Sequence, residues 1–197
     1  MATNSSFGVN NADCSSGNYS LWNDMYDALG QYGILSCGAT MNINSNVDVT
    51  GDVPTGCESD YMISVTNTTR VDAKNSGAAY GATTIDLGAP GTQILSTYTG
   101  GGTSSLSGTS MASPHVAGSV GFLHASMSAG LASFFQSNPA EGGLLIKQLI
   151  LNGTDLLPTL NGVTVSGGRL NLYNSALLSM ETMAAVSYTH LTLPTKA

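Results

Sequence analysis

At 197 residues the chain is long enough for one domain with a sizeable core. Charged residues make up only 9% of it and the net charge is −7, which argues against an electrostatic binder of nucleic acid or anionic membrane. Gly, Ser, Thr and Asn stand in for the missing charges, giving the polar, weakly charged surface common in exported proteins. No apolar run could span a bilayer, and Met1-Ala2-Thr3-Asn4 lacks the basic start and apolar stretch of a signal peptide.

In chain order, Asn4-Ser5-Ser6-Phe7-Gly8 closes a strand and enters a loop rich in Asn, Ser and Gly. Leu21, Trp22, Met25, Leu29 and Tyr32 recur at helical spacing, so an amphipathic helix capped by Ser20 is expected, bounded by Gly30 and Gly33. Gly33-Ile34-Leu35-Ser36-Cys37 reads as a short buried strand leading into Ala39-Thr40-Met41-Asn42. Asn44 to Ser59 reads as loop, punctuated by Gly51, Pro54 and Gly56. Tyr61 to Thr68 and Ile94 to Thr97 read as strands, with Thr84 to Gly91 as a strand and turn between them and Gly100-Gly101-Gly102 as a flexible turn after them. A helix with few charges is expected from Thr109 to about Ser128, buried on most sides. Leu144 to Leu151 predicts a helix ended by Asn152-Gly153, and another is expected within Gly167 to Leu178. Alternating strand and helix patterns argue for an α/β fold with a parallel sheet.

The stretch with the most chemistry is Leu106-Ser-Gly-Thr-Ser-Met-Ala-Ser-Pro-His-Val-Ala-Gly118. Gly108 permits a sharp turn and close approach of the backbone to a ligand. Thr109 and Ser110 fall where the helix starts, and a helix N-terminus offers free N–H groups and partial positive charge. A hydroxyl placed there can attack a carbonyl while the same N–H groups stabilise the oxyanion.

Gly108 to Gly118 resembles, without a gap, the active-serine segment of the subtilisin-like serine proteases, the subtilases. The resemblance extends over roughly Asn4 to Leu178 and implies a three-layer α/β fold with a mainly parallel sheet, present as its C-terminal half. Residues 1–179 would form the partial catalytic domain and 180–197 a tail. Within that tail, Val186 to Ala197 resembles translated adaptor read-through rather than native protein, or else a disordered terminus. By the same resemblance Ser110 is the nucleophile, and Ser6, Phe7 and Gly8 form one wall of the substrate cleft. Ala39, Thr40 and Met41 form the other wall, and Asn42 supplies the second oxyanion donor. Met41 departs from the glycine usual in the family, and Asn44 and Asn46 remain open as alternatives to Asn42. Asp86 sits in the family's Ala-Pro-Gly strand signature, where it has a structural role.

A serine nucleophile needs a base within hydrogen-bond reach. His115 falls ~140° round the helix from Ser110, and His124 lies ~21 Å further along it. His190 belongs to the tail, and no Asp-Ser/Thr-Gly or His-Gly-Thr-His segment occurs. The expected function is therefore a serine endopeptidase acting through an acyl-enzyme on Ser110. Its triad Asp and His are missing from this sequence, so the chain alone should be inactive. The alternative is a non-catalytic extracellular binding module on a degenerate subtilase scaffold. Substrates would be proteins or peptides, the location extracellular, and the state monomeric with no nucleic acid and no membrane span. Cys37 should be a buried free thiol. Cys14 and Cys57 both fall in loops beside the cleft, where a disulfide would form in an exported protein. No cofactor or metal is expected from the Cys and His spacing. Subtilases often hold structural calcium, which cannot be located from these residues.

Overall fold

The computed structural model describes residues 1–186. In chain order its elements are strand β1 (Ala2–Ser5), the short strand β2 (Val9–Asn10), helix α1 (Ser20–Gly30), β3 (Leu35–Ala39), the one-turn helix α2 (Val47–Thr50) and β4 (Asp52–Val53). There follow β5 (Met62–Thr68), β6 (Leu87–Pro90), β7 (Ile94–Thr97), β8 (Thr103–Leu106), α3 (Thr109–Ser126), α4 (Ala129–Ser137) and α5 (Pro139–Asn152). The series ends with β9 (Asp155–Leu156), β10 (Gly168–Arg169) and α6 (Leu172–Val186).

Six of these strands form one sheet in the order β1-β3-β5-β6-β10-β9. Each neighbouring pair is parallel except β10 with β9. The chain is thus α/β with a mainly parallel sheet, as expected. Strand β5 lies near the middle, and all seven of its residues are buried, the condition of a strand covered on both faces. Leu35, Cys37, Ile63, Val65, Leu87 and Ala89 pack on one face with Ala112, Val116, Val120 and Leu123 of α3 and Ile146, Leu149 and Ile150 of α5. Full burial of each large aliphatic chain contributes about 1.5–3 kcal/mol. On the other face Met62 and Val53 pack with Tyr26 and Trp22 of α1 and with Cys14 and Cys57, which form a disulfide. Helices on both faces make three layers.

Several local expectations are corrected. Ser20 is the first helical residue of α1 rather than its cap; Tyr19 holds the cap position without a side-chain bond, and the Ser16 carbonyl accepts from the N–H groups of both Tyr19 and Ser20. Strand β3 begins two residues later than the apolar run and extends through Gly38 and Ala39. Helix α3 ends at Ser126, and Ser128 instead caps α4, an element the sequence pattern did not signal. Nor is α3 buried on most sides. His115, Gly118, Gly121 and Phe122 are exposed, because Gly, Ala and Ser remove charge without demanding burial. The stretch 94–106 is a hairpin of β7 and β8 rather than a lone strand. Gly168-Arg169 is a strand, and the last helix begins only at Leu172 and continues to Val186. Residues 187–197, with His190 and most of the read-through-like segment, lie outside the described residues. No helix among the described residues is long and apolar enough to cross a membrane.

Candidate active site

Parallel strands gather their carboxyl ends along one edge of a sheet, the place where open α/β folds bind ligands. Here the end of β1 delivers Ser6-Phe7-Gly8, the end of β3 delivers Ala39-Thr40-Met41-Asn42, and the start of α3 delivers Ser110. All eight expected residues (Ser6, Phe7, Gly8, Ala39, Thr40, Met41, Asn42 and Ser110) line a single cavity of about 210 Å³.

The seams between these segments are hydrogen-bonded. Ser6 Oγ donates to the Ser110 carbonyl at 3.1 Å, and Ser110 Oγ donates to the Ser6 carbonyl at 3.4 Å. Ser113 Oγ donates to Asn4 Oδ1 at 2.8 Å, tying α3 to β1 one turn further on. Thr109, fully buried, donates its hydroxyl to the Thr40 carbonyl. Two glycines make the close approaches. A Cβ on Gly8 would stand 2.0 Å from the Val53 carbonyl oxygen, where β2 pairs with β4. One on Gly108 would press to 3.2 Å from Asn42 Oδ1.

Asn42 is oriented by the helix start. Its Oδ1 accepts from the Thr109 N–H at 2.9 Å and from the Thr109 hydroxyl at 3.2 Å. The amide Nδ2 then has no partner among the described residues, and neither does the N–H of Ser110. Two residues with unused donors, Asn42 and Ser110, thus line one cavity at a positive helix end, an arrangement that can hold a developing oxyanion. The two alternatives are occupied elsewhere. Asn44 Oδ1 accepts from Lys74, and Asn46 caps α2 through the Asp48 N–H.

No histidine touches Ser110 among the described residues. His115 lies exposed with Nδ1 bonded to the Met111 carbonyl at 2.8 Å. His124 bonds the amino group of Met1 at 2.8 Å and stacks edge-on against Phe135. Burial, with the nearby Met1 ammonium, lowers its pKa to about 4. Asp86 is structural: its Oδ2 accepts from the Ser64 N–H at 2.8 Å and lies 3.7 Å from the buried Lys147 ammonium. Cys37 is fully buried, and burial pushes its thiol up to about 12. Among the described residues no three His, Cys, Asp or Glu side chains are grouped to hold a metal.

The cavity also contains residues that sequence reasoning missed: Asn10, Ile43 and Asp52. Asp52 is 2% exposed, with Oδ2 accepting from the Met41 N–H at 3.1 Å and the Thr55 hydroxyl at 2.6 Å. Its stretch reads as loop, and a two-residue strand has no periodicity to betray it. A lone Asp between Gly51 and Val53 in a weakly charged chain was the one available signal.

Residues 2–169 match the model of the subtilase family, peptidase S8. Proteinase R of Parengyodontium album is 45% identical over 80 residues, covering 41% of this chain and 20% of that protein. An extracellular protease of Xanthomonas campestris pv. campestris is 43% identical over 98 residues, covering 45% of this chain and 16% of that protein. A solved structure of the subtilase cytotoxin SubAB assembly superposes with a TM-score of 0.72 at 19% identity, over 92% of this chain and 59% of that one; it speaks for the fold. The matched stretches make up a fifth or less of the curated relatives' length. With its family match running from β1 to β10, the chain belongs to the subtilase family.

Proposed function

We propose that the chain is the part of an extracellular serine endopeptidase that carries the nucleophile, the oxyanion donors and the substrate cleft. Ser110 Oγ would attack the carbonyl carbon of a peptide bond. The oxygen, becoming negative, would be held by the Ser110 N–H and Asn42 Nδ2. An extended substrate would lie between Ser6-Phe7-Gly8 and Ala39-Thr40-Met41. The proton leaving Ser110 needs a base, and no residue described here can take it, so the base and its carboxylate would come from a segment outside this sequence. The observation that carries the reading is the anchoring of Asn42 Oδ1 by the Thr109 N–H, which leaves the amide nitrogen of a residue in the Ser110 cavity without a partner among the described residues. The Cys14–Cys57 disulfide and the relative named as an extracellular protease support an oxidising location.

The test has two arms. The 197-residue chain alone is expected to leave casein uncut. The gene product extended by an Asp- and His-bearing segment is expected to cleave it. In that protein Asn42→Ala should lower kcat by about 10²–10³ with little change in KM, a figure taken over from subtilisin, a member of this family. Robust cleavage by the chain alone, or a neutral Asn42→Ala, overturns the assignment. An extended protein that binds peptides without cleaving them points to a binding module instead.

A further inference from the structure

Asp52 has no place in the chemistry of acyl transfer, yet it lines the same cavity as Ser110. A carboxylate this deeply buried is normally paired. The ion pairs among the described residues lie elsewhere. Lys147 pairs with Asp86 and Arg169 with Asp72 and Asp155. Lys74 donates to Asn44, Asn75 and Ala78. No ion pair is made to Asp52 among the described residues. Its Oδ2 is satisfied by Met41 and Thr55, whereas Oδ1 has no hydrogen-bond partner among the described residues. The lining is mixed, polar for the most part, with apolar groups among it: Phe7 is 61% exposed and Ile43 50% exposed, and Met41 lines the same cavity. A cavity with a carboxylate that makes no ion pair and apolar patches in a polar lining matches a side chain with a methylene stem and a cationic tip.

Resting on the reading of this cleft as the peptide site, we propose that Asp52 sets its substrate class. The cleft takes a lysine or arginine side chain at the residue whose carbonyl meets Ser110, with the cationic tip bonded to the Asp52 carboxylate. Asp52 is a specificity residue: it touches the substrate side chain and not the reacting atoms.

The experiment uses the whole 197-residue chain and needs no turnover. Trp22, the sole tryptophan, packs against Phe7 with ring centroids 5.8 Å apart, so its fluorescence reports occupancy of the cleft. The probes are acetyl-Ala-Ala-Lys, acetyl-Ala-Ala-norleucine and acetyl-Ala-Ala-Glu with free carboxylates. Norleucine keeps the stem of lysine and removes the charge. Lysine is expected to bind about 10–100-fold more tightly than norleucine, as a buried charge-assisted pair should, and glutamate most weakly. In Asp52→Asn the ratio of lysine to norleucine should fall to about one. Circular dichroism checks that the variant folds, and the ratio in the parent chain decides the matter if it does not. Norleucine binding as well as lysine, or a lysine preference that survives Asp52→Asn, overturns the role of Asp52 and leaves the cleft standing. Absence of binding by every peptide overturns both.

Discussion

The same carboxylate makes a prediction about stability. Burial holds Asp52 at a pKa of about 6, above the ordinary value of 3.8, against the opposing pull of its bonds from Thr55 and Met41. A raised acid binds its proton more tightly folded than unfolded. Its contribution is therefore fully present below the unfolded value near 3.8 and is lost as pH rises through about 6. A gap of about two units at 1.36 kcal/mol each amounts to about 3 kcal/mol. Asp52→Asn is neutral at every pH, and its side-chain oxygen can still accept from Thr55. Relative to the parent chain, the variant should gain about 3 kcal/mol of stability between pH 4 and pH 8, most of it between pH 4 and 6.5. For a chain of this size that corresponds to a melting-temperature difference that widens by about 6–12 °C. Urea unfolding followed by circular dichroism at half-unit pH steps measures it. A difference that stays flat with pH refutes the reasoning. A difference of opposite sign would mean that Asp52 is held ionised by a partner, and the unpaired carboxylate would then be a fiction.

Other perturbations reach other parts of the fold. Lys147→Met leaves Asp86, fully buried, without its ammonium and should cost about 3–5 kcal/mol; equilibrium urea unfolding at pH 7 checks it, and a neutral effect would refute the pairing as a source of stability. Replacing Cys14 and Cys57 by Ser opens a loop with a sequence separation of 43 and should lower stability by about 4 kcal/mol on the chain-entropy view; the same shift should follow reduction of the parent chain. Cys37 should be silent to a thiol reagent in the native chain and react only on unfolding, because both burial and its raised pKa suppress the thiolate.

Much of the fold was legible because its signals are local. The apolar run at Leu35 and the stretch at Met62 read as strands, and Val116, Val120 and Leu123 repeat at helical spacing later in the chain. The candidate site residues were named for a different reason: an eleven-residue motif points to Ser110, the family it resembles suggests the rest, and the fold brings them to one cavity. What stayed hidden depends on partners far along the chain. Asn42 could not be told from Asn44 and Asn46 by spacing. The choice rests on which amide the Thr109 N–H reaches, 67 residues away. Asp52 was missed for a more local reason: its stretch reads as loop, and nothing in the pattern signals that its carboxylate accepts from the Met41 N–H and the Thr55 hydroxyl. The exposed face of α3 was misread because glycine and alanine carry no preference for either side of a protein surface.

The reciprocal bonds between Ser6 and Ser110 join residues 104 positions apart, and Asn42 is joined to Thr109 across 67. Each closes a long loop, and the entropy of closing it is lost before the contact returns anything. No short piece of the chain holds two walls of the cleft at once. The cleft therefore belongs among the last features to form in refolding, after β1, β3 and β5 have paired and α3 has settled across them. Recovery of cleft occupancy after dilution from urea should lag behind recovery of helical ellipticity. The nascent chain, in the same way, does not bring Ser110 together with Ser6 and Asn42 until the sheet that carries them is complete.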